Sequence, residues 1–285
     1  MTARPRTNGG LLVGVRLSST VTSAHANTVR GRDGRQRTLP GQGGVVVGIG
    51  MGEPAGEWVS DHVEPGASLG HDDPAANIAL QTLACVGNAA RVTSGPAAGA
   101  RGVVYGKHGN VLVAFEAGQL ARLQPGDAVA VDTRGVGLKL LDFPDVAIHS
   151  CAPELLEALI SAEMADGRLE VATALRLPAQ AAAGGIGMPS AAFNLDLEAT
   201  TGAWSAELRG AGFGAIVILE DHDHTVGRQY RPGWLTVGSV AHGSSAGGGH
   251  GVGMVSLISG PADLFHVTDA PRASLSRLLP EMAAL

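Results

Sequence analysis

The stretch Gly99-Ala100-Arg101-Gly102-Val103-Val104 sets the predicted fold of the first half of the chain. A glycine-rich turn leads here into a β-branched strand, and another apolar run follows over residues 111–115 after a second glycine turn. Pro125-Gly126 then precedes the alternating segment 128–131. The sequence therefore predicts short strands joined by tight hairpins over residues 91–132.

The loop and strand at residues 99–104 also resemble the short motif of SH3-like barrels, in which a glycine-rich loop leads into a Gly-x-Val strand. This resemblance implies a small β-barrel at about residues 91–132. We place this SH3-like portion inside an N-terminal, β-rich domain that spans residues 1–150.

Two helices are predicted on either side of this region. Asp73 is a preferred N-cap and Pro74 suits the first helical position, so a helix is expected from there to a stop at Gly87-Asn88. A second helix is predicted over residues 153–165. Three further strands are predicted over residues 215–219, 234–241 and 254–258. The chain is therefore expected to be a strand-rich α+β protein, with a C-terminal α+β domain over residues 151–285.

Composition narrows the classes of function. The net charge is −6, and only 4% of the 285 residues are aromatic. A protein that binds nucleic acid or an anionic membrane should be basic, and stacking of single-stranded bases needs aromatic side chains, so we expect neither partner. The chain has only two cysteines, Cys85 and Cys151, which fits a reducing compartment, with a single disulfide as the alternative. It has no apolar run of about 18 residues, so we expect no membrane span and a cytoplasmic protein.

Histidines between residues 222 and 250 form the most informative pattern. His222 and His224 are two residues apart at the end of a predicted strand, so their side chains share one face and can chelate a divalent ion such as Zn²⁺. His242 ends the next strand, and His250 lies in a run of glycines that lets the backbone approach a ligand closely. A polar loop cluster without metal is the alternative. The candidate metal ligands are Asp221, His222, Asp223, His224, His242 and His250.

Two other segments carry candidate catalytic groups. The segment 61–66 places three ionisable groups in four positions, so His62 or Glu64 is a candidate acid or base, with an exposed loop as the alternative. Residues 243–247 match the G-x-S-x-G pattern of a nucleophile elbow. The glycines that follow do not easily begin the helix that an elbow needs, so Ser245 suits a hydrogen bond to substrate better than nucleophilic attack.

Cys85 and Arg228 complete the set of candidates. Cys85 falls on the apolar side of its predicted helix, which favours a buried, inert thiol over a nucleophile. Arg228 lies in a polar turn shortly after His224, where it is either a clamp for a substrate carboxylate or a solvated side chain.

Several phrases of the chain, taken together, resemble the prokaryotic family catalogued as domain of unknown function 4438, almost from end to end. The phrases are Leu39-Pro40-Gly41, residues 61–66, Leu83-Ala84-Cys85-Val86-Gly87-Asn88, Gly106-Lys107-His108-Gly109, residues 137–142, and a C-terminal series that includes His224, Arg228, His242 and His250. The resemblance implies a two-part protein with an SH3-like β portion in its first half, and it implies no reaction. His222 and the stretch 184–201 depart from the sequence pattern of the family.

These patterns lead to an expected function, the metal-assisted hydrolysis of a small amide or a related C–N bond. The Zn²⁺ or similar ion would be held by His224, His242 and His250 with Asp221 or Asp223. His62 or Glu64 would serve as general base. Arg228 or Ser245 would orient the small-molecule substrate.

Two other classes of function stay open at this point. The first is a metal-free enzyme in which histidine is the acid or base and Ser245 or Cys85 is the nucleophile. The second is a non-catalytic protein that binds a small ligand or assembles. The small barrel and the low charge density predict self-association, so we expect a homo-oligomer.

Overall fold

A computed structural model of the protein describes residues 4–25, 28–31, 33–160, 166–184, 194–199, 202–247 and 250–283. Two predictions fall partly outside these ranges. They are the last turn of the predicted helix 153–165 and most of the stretch 184–201, which departs from the sequence pattern of the family.

The first part of the chain is built from strands and two helices. The strands are β1 (Val15–Val21), β2 (Thr28–Arg30), β3 (Gln36–Thr38), β4 (Val45–Val46), β5 (Gly66–Gly70), β6 (Ala89–Val92), β7 (Arg101–Lys107), β8 (Val111–Phe115) and β9 (Ala128–Thr133). The helices are α1 (Pro74–Leu83) and α2 (Ala117–Leu120).

Six of these strands form a closed antiparallel barrel in the order β1, β9, β6, β7, β8 and β5. The ring closes where Thr20 and Val21 of β1 pair with Gly70 and Leu69 of β5. A barrel is confirmed, but it is larger than the predicted 91–132, because β1 and β5 lie outside that range. The sequence of β5, Gly-Ala-Ser-Leu-Gly, carries little intrinsic β-propensity, so long-range pairing forms this strand. The likeness to SH3 barrels stays a prediction.

Helix α1 begins where the sequence predicts. The Asp73 carboxylate accepts a hydrogen bond from the backbone N–H of Ala76, at 2.8 Å, and Pro74 occupies the first turn. The helix ends at Leu83, earlier than the predicted stop, because the chain is already extended at Ala84. Cys85 therefore does not lie on a helix. Both cysteines are buried free thiols.

The second part of the chain forms a mixed sheet with small helices around it. The strands are β10 (Ala147–Ile148), β11 (Leu169–Thr173), β12 (Leu175–Pro178), β13 (Leu195–Leu197), β14 (Ile216–Asp223), β15 (Gln229–His242), β16 (Val252–Pro261) and β17 (Phe265–Asp269). The helices are α3 (Pro153–Leu159), α4 (Ser205–Gly210), α5 (Leu275–Leu278) and α6 (Pro280–Ala283).

The three long strands β14, β15 and β16 confirm the three strands predicted near the end of the chain. The strand order in this sheet is β10, β16, β15, β14 and β12, and β13 pairs with the beginning of β16. Strands β11 and β17 form a separate parallel pair. The α+β class is therefore confirmed, and the division of the chain near residue 150 stays a prediction.

The barrel packs directly against this sheet. Outward-facing barrel residues such as Tyr105 and Leu112 share one hydrophobic core with Val237 and Leu257 of the sheet. The two backbones come close, because a Cβ atom at Gly106 would lie 2.7 Å from the Cβ atom of Ala241. This contact brings the end of β7 beside the end of β15, and the candidate site lies there.

Candidate metal centre

Four histidines from four separate segments converge at this junction. His62 precedes β5, His108 follows β7, His242 ends β15 and His250 precedes β16. The ring centroid of His62 lies 5.0 Å from those of His108 and His242 and 5.5 Å from that of His250. The rings of His108 and His242 are 4.0 Å apart. Side chains distant in sequence therefore share one small volume.

The Nδ1 atoms of three of these histidines each face an acceptor. The pairs are His108 Nδ1 with Glu64 Oε1 at 2.6 Å, His242 Nδ1 with the Gly243 carbonyl oxygen at 2.8 Å, and His62 Nδ1 with Asp61 Oδ1 at 3.1 Å. An acceptor at Nδ1 keeps the proton there and leaves the lone pair on Nε2. Carboxylate or carbonyl groups hold metal-binding histidines in this way.

The three rings are close enough to bind one ion. One ligand atom from each of His62, His108 and His242 can be chosen so that all three lie within 4.8 Å of one another. The Nε2 atom of His62 is buried and has no hydrogen-bond partner among the described residues. The described residues therefore include a set of imidazoles that can hold a metal ion.

Glu64 is a buried carboxylate behind His108. It is 1% exposed, and its Oε2 atom accepts hydrogen bonds from the backbone N–H of Gly43, at 2.9 Å, and from the hydroxyl of Ser68. With Oε1 on His108, both oxygens are engaged. Glu64 is therefore placed to orient His108.

Asp61 connects His62 to Ser245. The Ser245 hydroxyl donates a hydrogen bond to Asp61 Oδ1 at 2.6 Å. Burial acts to raise the pKa of Asp61, but hydrogen bonds from His62 and Ser245 outweigh it and hold that pKa below its usual value. Asp61 is therefore ionised at neutral pH and accepts from both neighbours.

Asp196 of β13 lies on the other side of the histidines. Its Oδ1 atom is 3.3 Å from His242 Nε2, and its Oδ2 atom is 3.3 Å from His250 Nδ1 and 4.0 Å from His62 Nε2. Burial opposes ionisation, but hydrogen bonding with His242 and the nearby imidazoles hold the pKa of Asp196 well below its usual value. These contacts place a carboxylate beside the Nε2 atoms.

His242 is the most enclosed of the four rings. Burial, together with His108, lowers the pKa of His242 to about 4, so its ring is neutral at pH 7. The Asn194 amide nitrogen lies 2.7 Å from His242 Nε2, which fits a donor facing the lone pair. A Cβ atom at Gly253 would lie 2.0 Å from that nitrogen, so only glycine allows the ring to lie across β16.

The backbone of His62 is also unusual. Its φ of 48° lies in the left-handed region, which residues other than glycine seldom adopt. Such strained conformations cluster at functional sites, where the surrounding structure holds them. The strain at His62 is therefore consistent with a side chain held for a purpose other than packing.

A cavity of about 380 Å³ opens beside the cluster. Its lining includes Arg37, Arg209, Ser244, Ser245, His250 and Gly251. The His250 side chain is 61% exposed, whereas that of His242 is fully buried. The cavity therefore approaches the histidines from the side of His250. A larger cavity, of about 610 Å³, lies on the barrel wall, and no histidine lines it.

A second group of histidines lies elsewhere on the sheet. Its contacts are His222 Nδ1 with Thr236 Oγ1 at 3.0 Å, His224 Nδ1 with Ser256 Oγ at 2.6 Å, and His149 Nε2 with Ser259 Oγ at 2.9 Å. Burial lowers the pKa of each of these three histidines to about 4. They are neutral at pH 7, and their partners are hydroxyl groups.

The two groups are far apart along the same strand. Thr236, which contacts His222, precedes His242 by six residues on β15, and a strand rises about 3.3 Å per residue. The separation is therefore roughly 20 Å. His222 cannot share a metal ion with His242.

Comparison with known proteins assigns the chain to a family. A model of the N-terminal domain of DUF4438, a domain of unknown function, matches residues 28–157, and a model of its C-terminal domain matches residues 159–279. The chain belongs to the DUF4438 family. The crystal structure of TM1086 covers 97% of this chain and all of its own, with 34% sequence identity and a TM-score of 0.90. No curated protein matches the chain.

In this DUF4438 protein the predicted site residues divide between two places. The structure brings His62, Glu64, His242, His250 and Ser245 together. It places His222 and His224 in the second group, so the predicted set of His224, His242 and His250 does not converge.

The remaining predicted residues also lie outside the first group. Asp221 is exposed and accepts from the Gly233 N–H, and Asp223 accepts from Thr225 and Arg231. The charge of Arg228 contributes to the lowered pKa of His222, which places that arginine near the second group. Burial raises the pKa of the Cys85 thiol, which fits an inert buried cysteine.

Sequence reasoning missed three residues of the first group, namely His108, Asp61 and Asp196. The phrase Gly106-Lys107-His108-Gly109 carried a usable signal, because an isolated histidine between glycines resembles His250 in its own loop. Asp61 stands directly beside a candidate. Asp196 falls in a stretch without any pattern that separates it from an ordinary surface carboxylate.

Proposed function

We propose that the protein is a metal-dependent hydrolase that acts on a small amide or a related C–N bond. One observation carries the proposal. Three histidines, His62, His108 and His242, have their Nδ1 atoms on acceptors and have ligand atoms within 4.8 Å of one another. Zinc in catalytic sites is commonly held by three protein ligands with a fourth position open to water.

The chemistry follows from that open position. A bound Zn²⁺ lowers the pKa of a coordinated water to about 7 and polarises a substrate carbonyl. Asp61 and Glu64 hold the rings of His62 and His108, and Asp196 supplies negative charge beside the ion's position. In this proposal Glu64 is a positioning residue, in place of the general-base role that the sequence suggests.

The adjacent cavity supports a small substrate. Its volume of about 380 Å³ lies near the lower end of the usual range for ligand sites, roughly 300–1,000 Å³. Ser245 and His250 line both the cavity and the histidine cluster. A substrate in the cavity would therefore reach the metal position from its exposed side.

The geometry weighs against the metal-free alternative. In a serine hydrolase the nucleophile donates its proton to a histidine that a carboxylate orients. Here the Ser245 hydroxyl donates to the carboxylate of Asp61 instead. Ser245 therefore suits a supporting role, and Cys85 is buried outside the cluster.

The experiment combines metal analysis with a substrate screen. Chelator-stripped protein is titrated with Zn²⁺, and the loaded protein is assayed against small amides and lactams. We expect tight binding, turnover that depends on Zn²⁺, and loss of both in His108→Ala. Full zinc affinity in His108→Ala would overturn the metal site, and turnover without metal would favour the metal-free enzyme. Binding of a small molecule without chemical change would favour the non-catalytic class.

A further inference from the structure

The two oxygens of Asp196 face two different histidines. Oδ1 lies 3.3 Å from His242 Nε2, and Oδ2 lies 3.3 Å from His250 Nδ1. The Asn194 amide nitrogen lies 2.8 Å from that Oδ1 and 2.7 Å from the same His242 Nε2, so a metal ion between these two atoms would take the place of the amide. Elsewhere in the same site the carboxylate of Glu64 contacts His108 at 2.6 Å. Both histidine contacts of Asp196 are therefore longer than the usual charge-assisted hydrogen bond, at about 2.7–2.9 Å.

A spacing of 3.3 Å has a simple meaning for metal ligands. Two ligand atoms at about 2.0–2.1 Å from one tetrahedral ion lie roughly 3.3–3.4 Å apart. Each oxygen of Asp196 thus lies at the distance expected between two ligands of one ion, and each does so from a different imidazole. We infer that Asp196 bridges two divalent metal ions, an inner one on the side of His242 and an outer one on the side of His250.

The candidate ligands fall into two groups that share His62, and Asp196 belongs to the outer group. The described residues contain two overlapping groups of potential ligands, one with His62, His108 and His242, and one with His62, Asp196 and His250. His62 belongs to both groups, and its Nε2 atom lies 4.0 Å from Asp196 Oδ2. One imidazole nitrogen binds one metal ion, so His62 would be a ligand of only one of the two ions. Asp196, with two oxygens, would be a ligand of both.

Burial makes the two positions unequal. The inner position is surrounded by buried groups, because the side chains of Glu64 and His242 are fully buried. The outer position opens to the cavity, since the His250 side chain is 61% exposed. An outer ion would exchange more readily and would lie nearer to a bound substrate. Paired ions about 3.5–4 Å apart occur in many hydrolases, where they clamp the attacking and leaving atoms.

This inference rests on the metal centre proposed above, and Co²⁺ tests it without any assay of activity. The full-length protein is stripped with chelator, loaded with Co²⁺, and examined by elemental analysis and electron paramagnetic resonance. We expect two Co²⁺ per chain whose spins are coupled through the Asp196 carboxylate. His250→Ala should hold one Co²⁺ with an uncoupled signal. His266→Ala, a change at a half-buried histidine on β17, should retain both ions.

The outcomes separate the two proposals. One Co²⁺ per wild-type chain would overturn the two-metal inference and leave the single-metal proposal standing. Two Co²⁺ in both the wild type and His250→Ala would overturn the inference in its assignment of His250 as a ligand of the outer ion. Two ions without spin coupling would overturn the bridge, and Asp196→Asn should then change nothing. Failure to bind any Co²⁺ would overturn both proposals. Two coupled ions with no hydrolysis of any carbonyl substrate would support the inference and contradict the proposed reaction.

Discussion

Two groups of histidines in one protein differ in their partners. The carboxylate-linked cluster consists of His62, His108, His242 and His250 with Asp61, Glu64 and Asp196. The hydroxyl-linked cluster consists of His149, His222 and His224 with Thr236, Ser256 and Ser259. Both are rich in imidazole, and each includes a histidine of a long strand, His242 of β15 in the first and His222 of β14 in the second. In the first, carboxylates contact the rings directly, whereas in the second hydroxyl groups contact them and Asp223 acts on the rings only through its charge.

The difference teaches how the same side chain serves two purposes. A carboxylate behind an imidazole raises its basicity and fixes its orientation, which strengthens it as a metal ligand. A hydroxyl group satisfies one ring nitrogen and adds no charge, so burial keeps the ring neutral. We therefore expect the first cluster to govern metal binding and the second to govern stability.

The largest expected effect separates the clusters directly. His108→Ala removes one of three ligands and should weaken Zn²⁺ binding by about 100-fold or more, since loss of an outer partner alone costs about 10–100-fold. His224→Ala should leave zinc affinity within about twofold of the wild-type value, because the ring of His224 contacts the rings of the hydroxyl-linked cluster. Competition with a chelator of known affinity measures both. Equal losses in the two variants would contradict the division.

Acid unfolding tests the hydroxyl-linked cluster. Its three histidines have pKa values near 4 in the folded protein and about 6.5 when unfolded, so the unfolded chain binds more protons. Their contribution to stability is complete above about pH 6.5 and is lost as pH falls toward 4, by on the order of 3 kcal/mol for each histidine. Urea unfolding of metal-free protein measures this loss. His224→Gln should flatten the pH dependence, and His250→Ala serves as the control.

An unchanged slope in His224→Gln would show that the lost stability comes from other groups. His242 of the carboxylate-linked cluster also has a folded pKa of about 4, so a contribution from it is expected to persist in the variant. Only the difference between the two proteins therefore reports on the hydroxyl-linked cluster.

A smaller effect tests the role of the carboxylates themselves. Glu64→Gln retains the size of the side chain but replaces the oxygen facing His108 with a group that bears no charge. We expect zinc affinity to fall by about 10–100-fold, the usual range for an outer partner. Ser256→Ala is the matched change in the other cluster and should leave zinc affinity unchanged. Similar zinc affinities in Glu64→Gln and the wild type would show that the Glu64 carboxylate does not strengthen zinc binding.

Local sequence patterns predicted many of the helices and strands, but they did not predict how the barrel closes. The N-cap at Asp73 and the apolar runs of β14 to β16 are local signals, and the structure has these elements. The barrel depends on pairing between β1 and β5, which lie far apart in the chain. A short Gly-Ala-Ser-Leu-Gly strand has no pattern of its own, so its partner could not be identified from the sequence.

The site shows the same limit. Spacing of two residues correctly places His222 and His224 near one another, with ring centroids 6.0 Å apart. It does not tell where along the sheet that pair lies relative to His242, because strand register and the bulge after Glu220 are set by tertiary pairing. Asp196 enters the site through the short pairing of β13 with β16, which leaves no local signal.

The smallest expected effect concerns Ser245, and it distinguishes a supporting role from nucleophilic catalysis. The hydroxyl donates to Asp61, and Asp61 in turn faces His62, so Ser245→Ala loosens His62 only through an intermediate group. We expect a loss of zinc affinity of a few-fold, below the roughly 10-fold typical of a direct outer partner. Turnover should fall by a similar factor. If Ser245 were the nucleophile, turnover would fall by about 1,000-fold or more while zinc affinity stayed constant. Ser244→Ala, at the neighbouring wall of the cavity, controls for the loss of a hydroxyl group there.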